Sequence, residues 1–104
     1  MKIIEVFSKK IEDTLNNAED YINKANEYRE DFPEASKALY NMSENEMSNI
    51  TSLHSAVVNI INNYKKENGD PPESMMVIYK YLHQKHIDHG AKIKTMQTMY
   101  KEGW

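Results

Sequence analysis

Apolar residues recur every three or four positions along three long stretches of the chain, which is the period of an amphipathic helix. In the first stretch, about 3–30, one stripe holds Ile4, Phe7, Ile11, Leu15, Ala18, Ile22 and Ala25. In the second, about 34–67, the stripe holds Ala35, Leu39, Met42, Glu46, Ile50, Leu53, Val57, Ile60 and Tyr64. In the third, about 73–101, it holds Met75, Ile78, Leu82, His86, His89, Ile93, Met96 and Tyr100.

Helix-breaking residues cluster between these stretches. Pro33 lies in "EDFPEAS", and "ENGDPPES" contains Gly69 and two prolines. Proline is tolerated in the first turn of a helix, and glycine suits a helix C-terminus. Because both connections are short, consecutive helices are expected to pack antiparallel. The pattern therefore predicts an all-α, up-down-up bundle of three long helices, in a single domain of residues 1–104.

Apolar residues also lie beside the stripes, where three helices alone leave surface uncovered. Val58 and Ile61 widen the second stripe, and Ile87 and Ala91 widen the third. Uncovered apolar surface favours self-association, so we expect a homodimer or higher homo-oligomer that completes the bundle. A monomer that exposes some apolar residues is the alternative.

Composition and charge limit the classes of partner and the cellular compartments that are expected for this protein. The net charge is −3, with 13 basic and 16 acidic residues interspersed, so no basic face for nucleic acid is expected. The N-terminus lacks the features of a signal peptide, and no run approaches the roughly 18 apolar residues that span a bilayer. A soluble, intracellular protein that binds neither nucleic acid nor membrane is therefore predicted.

Three polar residues interrupt the apolar stripes: Glu46, His86 and His89. A carboxylate is rarely buried without a partner, because desolvation of its charge costs several kcal/mol or raises its pKa. We therefore expect Glu46 to point inward and to meet a cation, a hydroxyl, a protonated imidazole or a metal.

Residue counts outward from the two turns give the approximate levels of these side chains. Glu46 lies opposite about Glu19 of the first helix. His86 lies opposite about His54 of the second, which in turn lies opposite about Glu12 of the first. Two layers of candidate metal ligands follow: Glu12, His54 and His86 in one, with His83 and His89 one turn either side, and Glu19 with Glu46 in the other.

These six residues allow two interpretations. As metal ligands they favour iron, manganese or zinc, because the chain has no cysteine and offers only carboxylates, imidazoles and amides. As structural residues they form buried hydrogen bonds between helices or lie partly exposed on the helix surface. The residues alone specify no cofactor.

The stretch "AEDYINKANEYREDFPEASKALYNMSENEMSNITSLH" resembles the ferritin-like carboxylate bundles, in which one helix supplies a Glu and the next supplies Glu-x-x-His. The continuation "NIINNYKKENGDPPESMMVIYKYLHQKHIDHGAKIKTMQTMYK" is similar to small, mostly uncharacterised ferritin-like proteins encoded by phages and prophages of Gram-positive bacteria. The resemblance implies a ferritin-like bundle in the cytoplasm of a bacterial host, with a phage or host protein as a possible partner.

Position by position, Glu46 matches the Glu of Glu-x-x-His, and Glu12 or Glu19 matches the Glu of the first helix. Asn49 occupies the histidine position, and a neutral amide is a poor ligand for such metals. The third helix offers His86-x-x-His89 in place of a second Glu-x-x-His. We therefore predict a non-enzymatic binding or assembly module. The alternative is a carboxylate and histidine metal protein with oxidase- or ferroxidase-like chemistry.

Overall fold

A computed structural model describes residues 1–103, and Trp104, the last residue of the predicted domain, lies outside them. The chain forms three helices, α1 (Lys2–Glu27), α2 (Pro33–Asn68) and α3 (Glu73–Glu102). The described residues contain no strand. The predicted all-helical bundle is confirmed. The largest difference in a boundary is at α1, which ends three residues early because a turn leads into Pro33, the first residue of α2.

The core of α1 follows a strict spacing of four and three residues, which is typical of helices packed along each other. Its buried positions are Ile4, Ser8, Ile11, Leu15, Ala18, Ile22 and Ala25. They match the predicted stripe except that Ser8 is buried where Phe7 was expected, and Phe7 is half-buried.

Serine hydroxyls join α2 to the backbone of α1. Ser43 Oγ donates to the carbonyl oxygen of Ala18 at 2.7 Å, and Ser36 Oγ donates to that of Ala25 at 2.5 Å. Rising residue numbers in α1 therefore meet falling numbers in α2. Small side chains on both helices allow this close approach, and the hydroxyls are buried without an unsatisfied donor.

Side chains of α3 extend the same network. Gln97 Nε2 donates to Ser43 Oγ at 2.8 Å, and the Tyr100 hydroxyl lies 2.8 Å from Ser36 Oγ. Arg29, from the turn after α1, donates to the carbonyl oxygen of Tyr100 at 2.7 Å. These bonds fasten the three helices at the end of the bundle that contains the α1–α2 turn.

The predicted stripe of α2 is wrong in its first half. Ala35 and Met42 are exposed, whereas Ser36, Tyr40 and Ser43 are buried. The serines can be buried because α1 carbonyls accept their hydrogen bonds, an effect that the apolar pattern does not register.

The predicted stripe of α3 is wrong at one position in its first turns. Ile78 is 61% exposed, and the neighbouring Tyr79 packs against the core instead.

Candidate functional site

A carboxylate of α1 and two basic side chains of α3 form one polar cluster. Glu19 Oε1 lies 3.3 Å from His89 Nε2 and 3.0 Å from Lys92 Nζ. The hydrogen bond from Lys92 lowers the pKa of Glu19, and the charges of Lys92 and His89 act in the same direction against the effect of burial. Glu19 is therefore a carboxylate neutralised by a salt bridge.

Glu46 lies apart from this cluster, and its predicted inward position near Glu19 is wrong. Its Oε1 accepts a hydrogen bond from Asn49 Nδ2, one turn later in α2, at 3.2 Å. The inward position of that part of α2 is held by Ser43, so Glu46 projects from the flank of the helix and is half-buried. The Glu-x-x-Asn motif thus forms a bond within one helix.

Two histidines and a tyrosine stack between α2 and α3. The rings of His54 and His83 lie 4.7 Å apart between centroids with planes 13° apart, and Tyr79 stacks on His83 at 5.6 Å. Burial lowers the pKa of His83, and the neighbouring His54 lowers it further. His54 was expected opposite His86, and its actual partner lies one turn earlier in α3.

His86 lies deeper between the helices, and α1 acts on it. Burial lowers its pKa, and the negative charge of Glu12 opposes this shift. The predicted layer of Glu12, His54 and His86 is therefore formed in part, because Glu12 influences His86 while His54 stacks on His83.

An open groove separates α2 from α3 beside these histidines. Helix α1 packs along both of the other helices, whereas α2 and α3 contact each other least. The groove has a volume of about 550 Å³. Its lining residues are Ile11, Met47, Ile50, Thr51, His54, His83, His86, Ile87, Gly90, Ala91 and Lys94.

The six candidate ligands do not converge. Glu19 meets His89, Glu12 lies near His86, and His54 and Glu46 have other partners. Within residues 1–103, no three side chains of the types His, Asp and Glu are placed to hold one metal ion. This donor set does not fit a resident di-metal centre, so we derive no chemistry from one. Metal binding stays a prediction.

An apolar surface that is only partly exposed follows the flank of the α1–α2 hairpin that carries Glu46, and four of its residues (Phe7, Leu39, Leu53 and Ile60) also pack against the core. Most of its members are 7 or 14 residues apart beside the buried positions, and Met42 lies one turn after Leu39. We define this outer seam as Phe7, Tyr21 and Tyr28 with Phe32, Leu39, Met42, Leu53 and Ile60. Phe32 is 60% exposed and Met42 is 42% exposed.

The outer seam faces away from α3. Tyr21 follows Glu19 by two residues and projects about 160° away from it around α1. Because Glu19 contacts α3, Tyr21 points to the opposite side of the hairpin. The predicted second stripe is therefore a real apolar face, but its first half lies on the surface rather than in the core.

Sequence reasoning missed the buried polar residues Ser8, Ser36, Ser43 and Gln97. One signal was present, because Ser36 and Ser43 are seven residues apart, as are Ala18 and Ala25 on α1. Small residues at this spacing on two neighbouring helices indicate a close approach. Gln97 carried no such signal.

Comparison of the chain with protein-family models, with curated proteins and with solved structures finds no match. The resemblance to small ferritin-like phage proteins therefore stays a prediction from the residues. In the part of the chain that the structure describes, no helix combines the length and apolar character needed to cross a bilayer.

Proposed function

We propose that the protein is a non-enzymatic binding or assembly module of the phage or prophage type, on an antiparallel, ferritin-like three-helix scaffold. The opposite order of the Ser43–Ala18 and Ser36–Ala25 bonds supports the antiparallel arrangement. The module self-associates through the outer seam, where a second copy adds the helices that complete the bundle. A phage or host protein is the further partner of this assembly.

The observation that carries the proposal is the outer seam. It runs along α1, whose 26 residues span about 39 Å at 1.5 Å per residue. Two adjacent helices present a face about 20 Å wide, so the face of the hairpin that carries the seam has an outline of roughly 800 Å². Stable protein interfaces bury about 800 Å² on each partner. This face is therefore of the size that a dimer requires.

Glu46 and Asn49 give this interface a polar position. Glu46 lies midway between Leu39 and Leu53 at seven-residue spacing, so it interrupts the seam near its centre. A single polar residue in a helical seam lowers stability and selects one register of association. In this role the pair of Glu46 and Asn49 sets which alignments of two copies are favourable.

Light scattering coupled to size exclusion tests the proposal with two matched variants. Met42→Glu places a charge on the exposed part of the outer seam, and Val77→Glu places one on an exposed apolar position outside it. We expect the parent and Val77→Glu to have the mass of an oligomer and Met42→Glu that of a monomer. A monomeric parent, or equal masses for both variants, contradicts the proposal.

Metal binding is the second candidate, and the observation that favours it is that His54, His83 and His86 line one groove. The near-parallel rings of His54 and His83 do not aim their nitrogens at a common point, so His83 would have to rotate. Stoichiometric, tightly held iron, manganese or zinc in protein made in metal-replete medium would establish this candidate and overturn the non-enzymatic scaffold. Metal binding would be excluded if the protein is isolated without metal and its melting temperature does not change when metal is added.

A further inference from the structure

We propose that the groove between α2 and α3 binds a small amphipathic anion, a free medium-chain carboxylate whose alkyl chain lies in the groove and whose head group meets Lys94. The groove lies on the flank of the hairpin opposite the outer seam. Occupancy of the groove and association through the seam are therefore separate properties.

The body of the groove is apolar. Ile11 forms part of its floor, Met47 and Ile50 line it from α2, and Ile87 and Ala91 line it from α3. Its volume of about 550 Å³ lies within the range of small-molecule sites, which is roughly 300–1,000 Å³. An alkyl chain placed there removes apolar surface from water, which favours binding.

Glycine keeps this space open. At Gly90 an added Cβ would meet Met47 Cε at 3.7 Å and Leu15 Cδ2 at 3.9 Å, which are ordinary contacts. A helix position at the centre of the groove thus carries no side chain to fill it.

The charge of the lining favours an anion. Thr51 supplies a hydroxyl and the other polar lining groups are nitrogens, from the three histidines and Lys94, while none of the lining residues carries a carboxylate. Lys94 forms no ion pair within residues 1–103, whereas Lys92, two residues earlier, is neutralised by Glu19. An unbalanced cation beside an apolar groove matches an anionic head on an apolar chain.

The groove has a direction. Lys94 lies 11 residues from His83, so about 16 Å of helical rise separates the lysine from the His54–His83 stack. The extended chain of decanoate fits within this length, with its carboxylate at Lys94 and its methyl end toward the stacked rings.

The test is a titration of the ¹⁵N-labelled full chain with decanoate below its micelle concentration, followed by amide chemical shifts. We expect saturable shifts at Met47, Ile50, Ile87 and Ala91. Decanol, which has the same chain without the charge, should bind more weakly by up to about fivefold, the upper limit of what one exposed charge pair supplies. Lys94→Gln should weaken the binding of decanoate by the same factor and leave the binding of decanol unchanged.

Two controls separate charge from space. Lys92→Gln removes a lysine from another face of α3 and should leave decanoate affinity unchanged. Ala91→Leu fills the groove without altering charge and should weaken decanoate and decanol alike. Circular dichroism checks that each variant folds.

Any of four results would overturn the proposal: no saturation, shifts outside the groove, equal affinity for decanoate and decanol, or a decanoate affinity that Lys94→Gln leaves unchanged. The proposal would also be overturned if a second copy of the chain occupied the groove. In that case Ala91→Leu would dissociate an oligomer. The proposed self-association is tested separately, by the mass that light scattering gives for Met42→Glu.

Discussion

The buried bond between Gln97 and Ser43 gives the sharpest test of how the three helices are held together. Ser43 is fully buried and Gln97 is 8% exposed. Ser43 Oγ accepts from Gln97 Nε2 at 2.8 Å while it donates to the carbonyl oxygen of Ala18 at 2.7 Å. One hydroxyl therefore connects all three helices, and its removal should weaken the packing of each of them.

The two single substitutions should differ in magnitude. Ser43→Ala leaves the buried amide of Gln97 without a partner, which costs about 1–3 kcal/mol of unfolding free energy. Gln97→Met removes the donor but leaves Ser43 bonded to Ala18, so it should cost about 0.5–1.5 kcal/mol. The double variant removes both polar partners and should cost clearly less than the sum of the two.

Urea denaturation and calorimetry measure this double-mutant cycle. We expect a coupling of about 1 kcal/mol, and in a domain of this size each kcal/mol lowers the melting temperature by about 4–8 °C. Ser48→Ala, on the exposed face of the same helix, is the matched control and should stay within about 0.5 kcal/mol of the parent. Additivity of the two substitutions within about 0.3–0.5 kcal/mol would refute the contact.

Three further predictions concern α3. Gly90→Ala should raise unfolding free energy by about 1 kcal/mol in urea titrations, because alanine favours the helix and its Cβ meets only ordinary contacts. Burial lowers the pKa values of His83 and His86, so the unfolded chain binds protons more readily than the folded one. The free energy of unfolding should therefore be highest above pH 6.5, the ordinary pKa of histidine, and should decrease as the pH falls below that value. Replacing both by Phe should flatten that slope. Glu19→Gln breaks a partly exposed pair with Lys92 and should cost at most about 1 kcal/mol at pH 7, a difference that high salt reduces.

Periodicity predicted the helices well and their inner faces less well. On α1 the buried side chains are mostly aliphatic, so the apolar stripe and the core nearly coincide. On α2 the core accepts Ser36 and Ser43, because each hydroxyl finds a carbonyl on α1. A pattern of apolar residues cannot register that complementarity, since it depends on the backbone of another helix.

The candidate ligands show a related limit. Levels along the bundle were predicted well enough to bring Glu12 near His86, but the inward direction around the first half of α2 was not. A shift of one residue in the inner face of α2 turned Glu46 from the core to the flank, where Asn49 is its partner. The level of a residue depends on the length of its loop, whereas its direction depends on which neighbours fill the centre.

The two flanks of the α1–α2 hairpin explain why the resemblance to a ferritin-like site and the geometry diverge. Glu19 lies on the flank that α3 covers, and there a lysine and a histidine neutralise it. Glu46 lies on the other flank, where it is half-buried and accepts a hydrogen bond from Asn49 of the same helix. Two carboxylates on opposite flanks of one hairpin cannot share a metal within a single chain. The residues that resemble a metal motif therefore have different partners, because Glu19 pairs with side chains of α3 whereas Glu46 accepts a hydrogen bond within α2.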